Sequence, residues 1–192
     1  MPTRPVPRRD SDTHDSVTSL ALAAGGGDRS ALEEWVRATQ PDVWRFVAHL
    51  ADVASADDLT QETFARAIAS LHRFAGRSSS RTWVLSIARR VVVDQVRHAS
   101  ARPRIADADW EVAAERRWAR SSRQSAGFED GVELQLLLDS LEGDRREVLV
   151  LTQVLGLSYA EAADVSGCPI GTIRSRVARA RADLIAALDN DH

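Results

Sequence analysis

At 192 residues the chain has room for one domain or two small ones, and 44% hydrophobic with 28% charged side chains is the composition of a soluble globular protein. Its apolar runs fall well short of the roughly 18 residues a spanning helix requires, and Met1 to Asp15 lacks the apolar centre of a secretory signal, so a cytoplasmic location is expected. The lone Cys168 excludes an internal disulfide and any zinc site built from cysteines, while the net charge of −3 conceals a strong segregation of sign.

In chain order, residues 1–16 are polar and proline-rich and predict a disordered N-terminal extension. From 17 to 99 the pattern is helical, with neither strand alternation nor an internal repeat. Within it, Ser55 is placed to cap a helix whose first turn carries Asp57 and Asp58, acids that suit the positive end of the helix dipole. Thr60, Phe64, Ala67, Ile68 and Leu71 make the inward face of this helix. Asp58, Gln61, Glu62, Ala65 and Ala69 recur on the opposite face, a polar patch that fits either a solvated surface or a protein-docking surface.

A Gly/Ser-rich basic loop follows, from His72 to Arg81, and then a helical stretch through Trp83 and Arg90. A cationic loop beside aromatic rings could grip unpaired bases, which require stacking surfaces and phosphate neutralisation. Phe74 and Trp83 are equally candidates for core, and Trp83, spaced with Val84, Ile87 and Val91, reads better as core. From Arg66 to Arg104 there are nine Arg and a single acid, Asp94. A basic zone of that kind points to nucleic acid.

Residues 100–127 are rich in Ser and Arg and predict a flexible linker, in which Trp110, Ala114 and Trp118 share one face of a short helix. From 128 to 192 helical periodicity returns, beginning with a helix over Asp144 to Leu155 that Asp144 could cap. Ser158 with Glu161 three residues on is a capping box, opening a helix over about Tyr159 to Val165. Ser166-Gly167-Cys168 makes the turn, Gly167 supplying positive φ and Cys168 expected to be a small buried residue, and Pro169 suits the first turn of the next helix. There Ile170, Ile173, Val177, Ala180, Leu184 and Leu188 form an apolar stripe. Opposite the stripe lie Ser175, Ala178 and Arg179, flanked by Arg174 and Arg176, and from Thr172 to Ala182 there are four Arg and no acid. A solvated helix face usually mixes signs, so this one predicts a recognition helix of a helix-turn-helix. The expected fold class is therefore all-α, two small helical domains joined by a flexible linker.

Nothing in the chain argues for catalysis. The five His are scattered, no Gly-rich phosphate loop occurs, and no His/Asp/Glu cluster has metal-ligand spacing, so no catalytic residue, metal or cofactor is expected.

Four segments in order, Asp57-Asp58-Leu59-Thr60-Gln61-Glu62-Thr63-Phe64, Arg81 to Arg89, Leu157 to Ala163 and Gly171 to Arg176, resemble the extracytoplasmic-function class of bacterial sigma-70 factors. The resemblance implies a non-enzymatic subunit that binds core RNA polymerase and directs promoter-specific initiation, recognising −10 and −35 elements and aiding DNA melting. It implies docking on polymerase, through the β′ clamp and the β subunit, by Asp57, Asp58, Gln61, Glu62 and Phe64. It implies −10 contacts by Arg73, Phe74, Arg77, Arg81, Trp83, Arg89, Arg90, Asp94 and Arg97, and −35 contacts by Thr172, Arg174, Ser175, Arg176 and Arg179. Promoter DNA is the second implied partner, and an anti-sigma factor is admitted as a third. The chain departs from the family pattern with Arg90 where Asn is common, without a proline near Glu142, and with Ala178 in place of a bulky residue. Two other classes stay open: a response-regulator or repressor with a C-terminal helix-turn-helix that works without replacing a sigma subunit, and an RNA-binding or antitermination protein centred on the basic loop.

Overall fold

The structure, a computed structural model, describes residues 9–101 and 138–190, with side chains over 16–98 and 138–187. The expected linker beyond residue 101, its short helix with Trp110, Ala114 and Trp118, residues 128–137 and the side chain of Leu188 lie outside the described residues.

Four helices build the first module: α1, Arg9–Gly25; α2, Arg29–Leu50; α3, Ala56–Ser70, continued by a 3-10 turn over Leu71–Arg73; and α4, Ser80–Ala101. Helix α1 begins at Arg9, within the stretch 1–16 expected to be an N-terminal extension. Further along this helix Leu20, Ala21 and Ala24 pack on the core. Helix α2 runs through Pro41, which costs a helix interior about 3 kcal/mol. Burial of Trp35, Val43, Phe46 and Val47, all on one face, outweighs that cost.

The aromatic centre of this module was only partly legible. Trp35, fully buried, meets Phe64 edge-on at 5.8 Å and Trp83 at 6.1 Å, and Trp83 in turn lies 5.0 Å from Phe74. Helix α1 closes over this centre: a Cβ at Gly25 would come within 2.8 Å of the Leu71 carbonyl oxygen, so only glycine allows the end of α1 to approach the 3-10 turn. Ile68, expected inside, is 44% exposed.

Ser55 does not cap α3. Its backbone is already helical, and the Asp52 carboxylate instead accepts from Ser55 N at 2.8 Å and from Ser55 Oγ at 3.0 Å, closing the turn before the helix.

The second module holds α5, Gly143–Leu149, running into a π-helical turn over Val150–Val154, then α6, Tyr159–Ser166, and α7, Ile170–Asn190. The expected helix from Asp144 to Leu155 is thus α-helical for only its first half. The wider turn ends where Leu155 N donates to Val150 O at 2.9 Å and Leu157 N to Leu151 O at 2.9 Å. Asp144 is not the cap of α5, since Glu142 holds that position without a side-chain bond.

The capping box forms as the sequence predicts: Ser158 Oγ accepts from Glu161 N at 3.2 Å, and Glu161 Oε2 accepts from Ser158 N at 2.9 Å. Gly167 stands at φ 64°, ending α6 in the left-handed region. Ile173, Val177 and Ala180 are buried and Leu184 is half-buried, whereas Ile170, at the outer end of the stripe, is 40% exposed. Cys168 is only partly buried.

The buried side chains of the two modules form one continuous core. Helix α6 packs along α4, and α5 with its π turn reaches α2. Among the described residues no strand occurs, and no helix is long and apolar enough to cross a membrane.

Candidate nucleic-acid interface

Helix α3 turns Asp57, Asp58, Gln61 and Glu62 to solvent on one face. Phe64, placed with them by resemblance, is only 7% exposed and belongs to the aromatic centre, because it sits two residues beyond Glu62 and hence on the other side of the helix. Trp44, on α2, donates from its indole Nε1 to Asp57 Oδ1 at 2.8 Å while remaining partly exposed, so the face includes an aromatic residue that no sequence signal marked.

Arg73 and Arg77 are exposed in the loop before α4. The loop is braced by α1: Ser80 N donates to Thr18 Oγ1 at 3.1 Å, and Ser80 Oγ to Val17 O at 3.2 Å. Ser79 opens the helix as its capping residue, its Oγ accepting from Thr82 N at 3.1 Å. Phe74, 9% exposed, and Trp83, half-buried, pack on one another and on the core.

Arg90 and Arg97 of α4 point to solvent. Arg81 and Arg89 do not. Arg81 is held by Asp42 at 2.6 Å and donates across the module boundary to the Leu155 carbonyl at 2.7 Å. Arg89 donates to Glu147 Oε1 at 2.8 Å, and the same oxygen accepts from Ser166 Oγ at 2.5 Å. Glu147 is a nearly buried carboxylate from α5, so its desolvation is offset by a guanidinium from the first module and a hydroxyl from α6. Asp94, the single acid of the basic zone, accepts from Arg66 Nη1 at 2.7 Å, and that bond, helped by Arg97 and His98 nearby, holds its carboxyl below the usual carboxylate range.

On α7, Arg174, Ser175 and Arg179 are exposed, and Thr172 is partly so. Arg176 differs. Its guanidinium is paired with Asp144 at the start of α5 and lies 3.9 Å from Cys168 Sγ, so it fastens the recognition helix to the rest of its module. A second clamp, Arg145 to Asp183 at 2.6 Å, does the same one turn beyond Arg179 and keeps Arg145 firmly protonated. Sequence reasoning named the arginines but not their partners Asp42, Glu147 and Asp144, which come from distant segments. Only Arg66, four residues after Glu62, carried a local signal.

Among the described residues no group of His, Cys, Asp or Glu is placed to hold a metal ion. What the geometry provides is an acidic face on α3, a basic end of α4 and a basic recognition helix presented by a helix-turn-helix.

The sequence matches the family models for Sigma-70 region 2 over residues 35–102 and Sigma-70 region 4 over residues 131–184. It is 55% identical to the ECF RNA polymerase sigma factor SigC of Mycobacterium tuberculosis over 177 residues, covering 92% of this chain and 94% of that protein. Identity to the ECF RNA polymerase sigma factor EcfG of Rhodopseudomonas palustris is 36% over 159 residues, 82% of this chain and 85% of that one. Two solved structures are similar: CnrH in complex with the cytosolic domain of CnrY, at TM-score 0.69, 28% identity and coverage of 93% and 100%, and the sigma factor RpoE in complex with the anti-sigma factor NepR from Bartonella quintana, at TM-score 0.65, 27% identity and coverage of 84% and 98%. The chain belongs to the sigma-70 family, in its extracytoplasmic-function class. It is an RNA polymerase sigma factor, and a repressor that leaves the sigma subunit in place is not favoured by these matches.

Proposed function

We propose that the chain docks on core RNA polymerase through the exposed face of α3, holds the −10 region with the loop before α4 and with Arg90 and Arg97, and reads the −35 element with Arg174, Ser175 and Arg179. The observation that carries this is the separation of charge by face: acids on α3, arginines without acids on the open side of α7. Arginine can grip a guanine edge with two hydrogen bonds or hold a phosphate, and Ser175 and Ala178 leave room for close approach. The chain has no catalytic step of its own. Its work is positioning, each module raising the effective concentration of the other at the promoter. Such work takes place on chromosomal DNA in the cytoplasm. An anti-sigma polypeptide, like the NepR bound to RpoE, is a further expected partner.

Distance adds a requirement. The roughly 25 base pairs between −35 and −10 span about 85 Å at 3.4 Å per step. Modules whose Arg89 and Glu147 lie 2.8 Å apart cannot serve both elements at once. Between Ala101 and Leu138 the sequence has 36 residues, enough to reach about 120 Å when extended, so the connection allows the modules to part. Initiation on this reading separates them, breaking the Arg89–Glu147 and Arg81–Leu155 contacts and freeing Arg89 for DNA, while Arg81 keeps its pair with Asp42.

The test is run-off transcription with purified core polymerase, this chain and genomic promoter fragments. Specific transcripts are expected with the wild-type chain and none with Asp58→Arg, whose new cation would oppose docking. Normal holoenzyme formation by Asp58→Arg would remove α3 as the docking face.

A further inference from the structure

Arg66 belongs to neither set of residues assigned to binding, yet it touches both. Its Nε donates to Glu62 Oε1 at 2.7 Å, on the face of α3 proposed to dock on polymerase, and its Nη1 donates to Asp94 Oδ2 at 2.7 Å, on the helix proposed to meet the −10 region. A planar guanidinium has donors on several edges and can serve two carboxylates together, which a lysine ammonium does poorly. Asp94 sits between Arg90 and Arg97 along α4, four residues after the one and three before the other, and both are exposed. An uncompensated carboxylate there would repel the phosphates those arginines attract.

We propose that Arg66 is a positioning residue for promoter binding: it neutralises Asp94 beside the DNA-facing arginines, and because the same guanidinium holds Glu62, polymerase docking and promoter binding draw on one side chain. This rests on the proposed function for α3 and α4. When polymerase engages Glu62, Arg66 is left to Asp94 alone, and the promoter-facing end of α4 becomes more positive as the chain docks.

The experiment measures affinity of reconstituted holoenzyme for a labelled promoter fragment, at saturating core polymerase, for single and combined variants. Arg66→Ala is expected to lower affinity about two- to fivefold, the range of an exposed ion pair, and Arg66→Lys to give an intermediate loss. Asp94→Asn should remove the effect of Arg66→Ala, a rescue that a merely structural role for Arg66 would not give. In the chain that keeps Arg66, Glu62→Gln and Asp94→Asn should act non-additively, and in Arg66→Ala they should become additive. Persistence of the Arg66→Ala loss in the Asp94→Asn background, or no loss at all, overturns the proposal. Arg97→Ala tells its failure from that of the underlying reading. If Arg97→Ala leaves promoter affinity unchanged, α4 is not the promoter-facing helix and both fall; if it lowers affinity while Arg66 and Asp94 show no coupling, this proposal alone falls.

Discussion

The two helices proposed to face DNA are built on different plans. The recognition helix α7 is positioned from within its own module: the Ser158–Glu161 capping box, the left-handed Gly167 and the stripe of Ile173, Val177 and Ala180 lie within some 25 residues, the clamps Arg176–Asp144 and Arg145–Asp183 tie it to α5, and Arg174 and Arg179 stand in solvent. Helix α4 is positioned from a distance, by α1 through Thr18, by α2 through Asp42 and by the second module through Glu147, and two of its arginines are engaged in those contacts. A reader assembled from local parts is ready whenever its module is folded. One assembled from distant parts depends on which contacts are made, so α4, proposed to meet the −10 region, is the helix whose open arginines would change in number if the modules parted.

The largest test of this contrast is Trp35→Ala. Removing the fully buried ring that joins Phe64 and Trp83 should cost about 3–5 kcal/mol, seen as a lower melting temperature by circular dichroism. The isolated second module, residues 128–192, should keep its helix-turn-helix; loss of helicity in that fragment would show that α7 also depends on distant contacts.

Next in size is Glu147→Gln, which removes the charge facing Arg89 and should weaken the contact between modules by about 1.5–3 kcal/mol. The expected outcome is a larger radius of gyration by small-angle X-ray scattering. An unchanged radius would mean that apolar packing alone holds the modules together.

Arg174→Ala and Arg176→Ala sharpen the comparison within α7. The first should lower discrimination at one −35 position by about 1–3 kcal/mol in competition binding. The second, because Arg176 is fastened to Asp144, should lower the melting temperature of the module with less loss of discrimination. The reverse pattern would make Arg176 the base reader.

The smallest effect is electrostatic. Because the Arg66 hydrogen bond depresses the Asp94 pKa, the stabilisation this pair contributes is present at neutral pH and lost as pH falls through the depressed value. In Arg66→Ala the Asp94 carboxyl, followed by NMR, should titrate at higher pH; no movement would assign the depression to Arg97 and His98.

Legibility followed the same divide. Helix-turn-helix geometry could be read because capping, left-handed glycine and stripe are properties of adjacent residues. Misreadings arose where a neighbour far along the chain competed: Asp52 took the turn that Ser55 was expected to cap, and Trp35 claimed Phe64 from the docking face. The part of α1 from residue 17 on was legible from its helical pattern, and it is the part that packs on the core.

By itself the sequence determined the all-helical class, the recognition helix, the acidic face of α3 and, through four ordered motifs, the family. Those are consequences of periodicity, caps and charge within a few turns. Only the tertiary structure decided that Arg81, Arg89 and Arg176 are engaged in ion pairs while Arg90, Arg97, Arg174 and Arg179 stand open. The physical reason is that a guanidinium's partner is chosen by distance in space, and Asp42, Glu147 and Asp144 lie some 30 to 60 residues away along the chain.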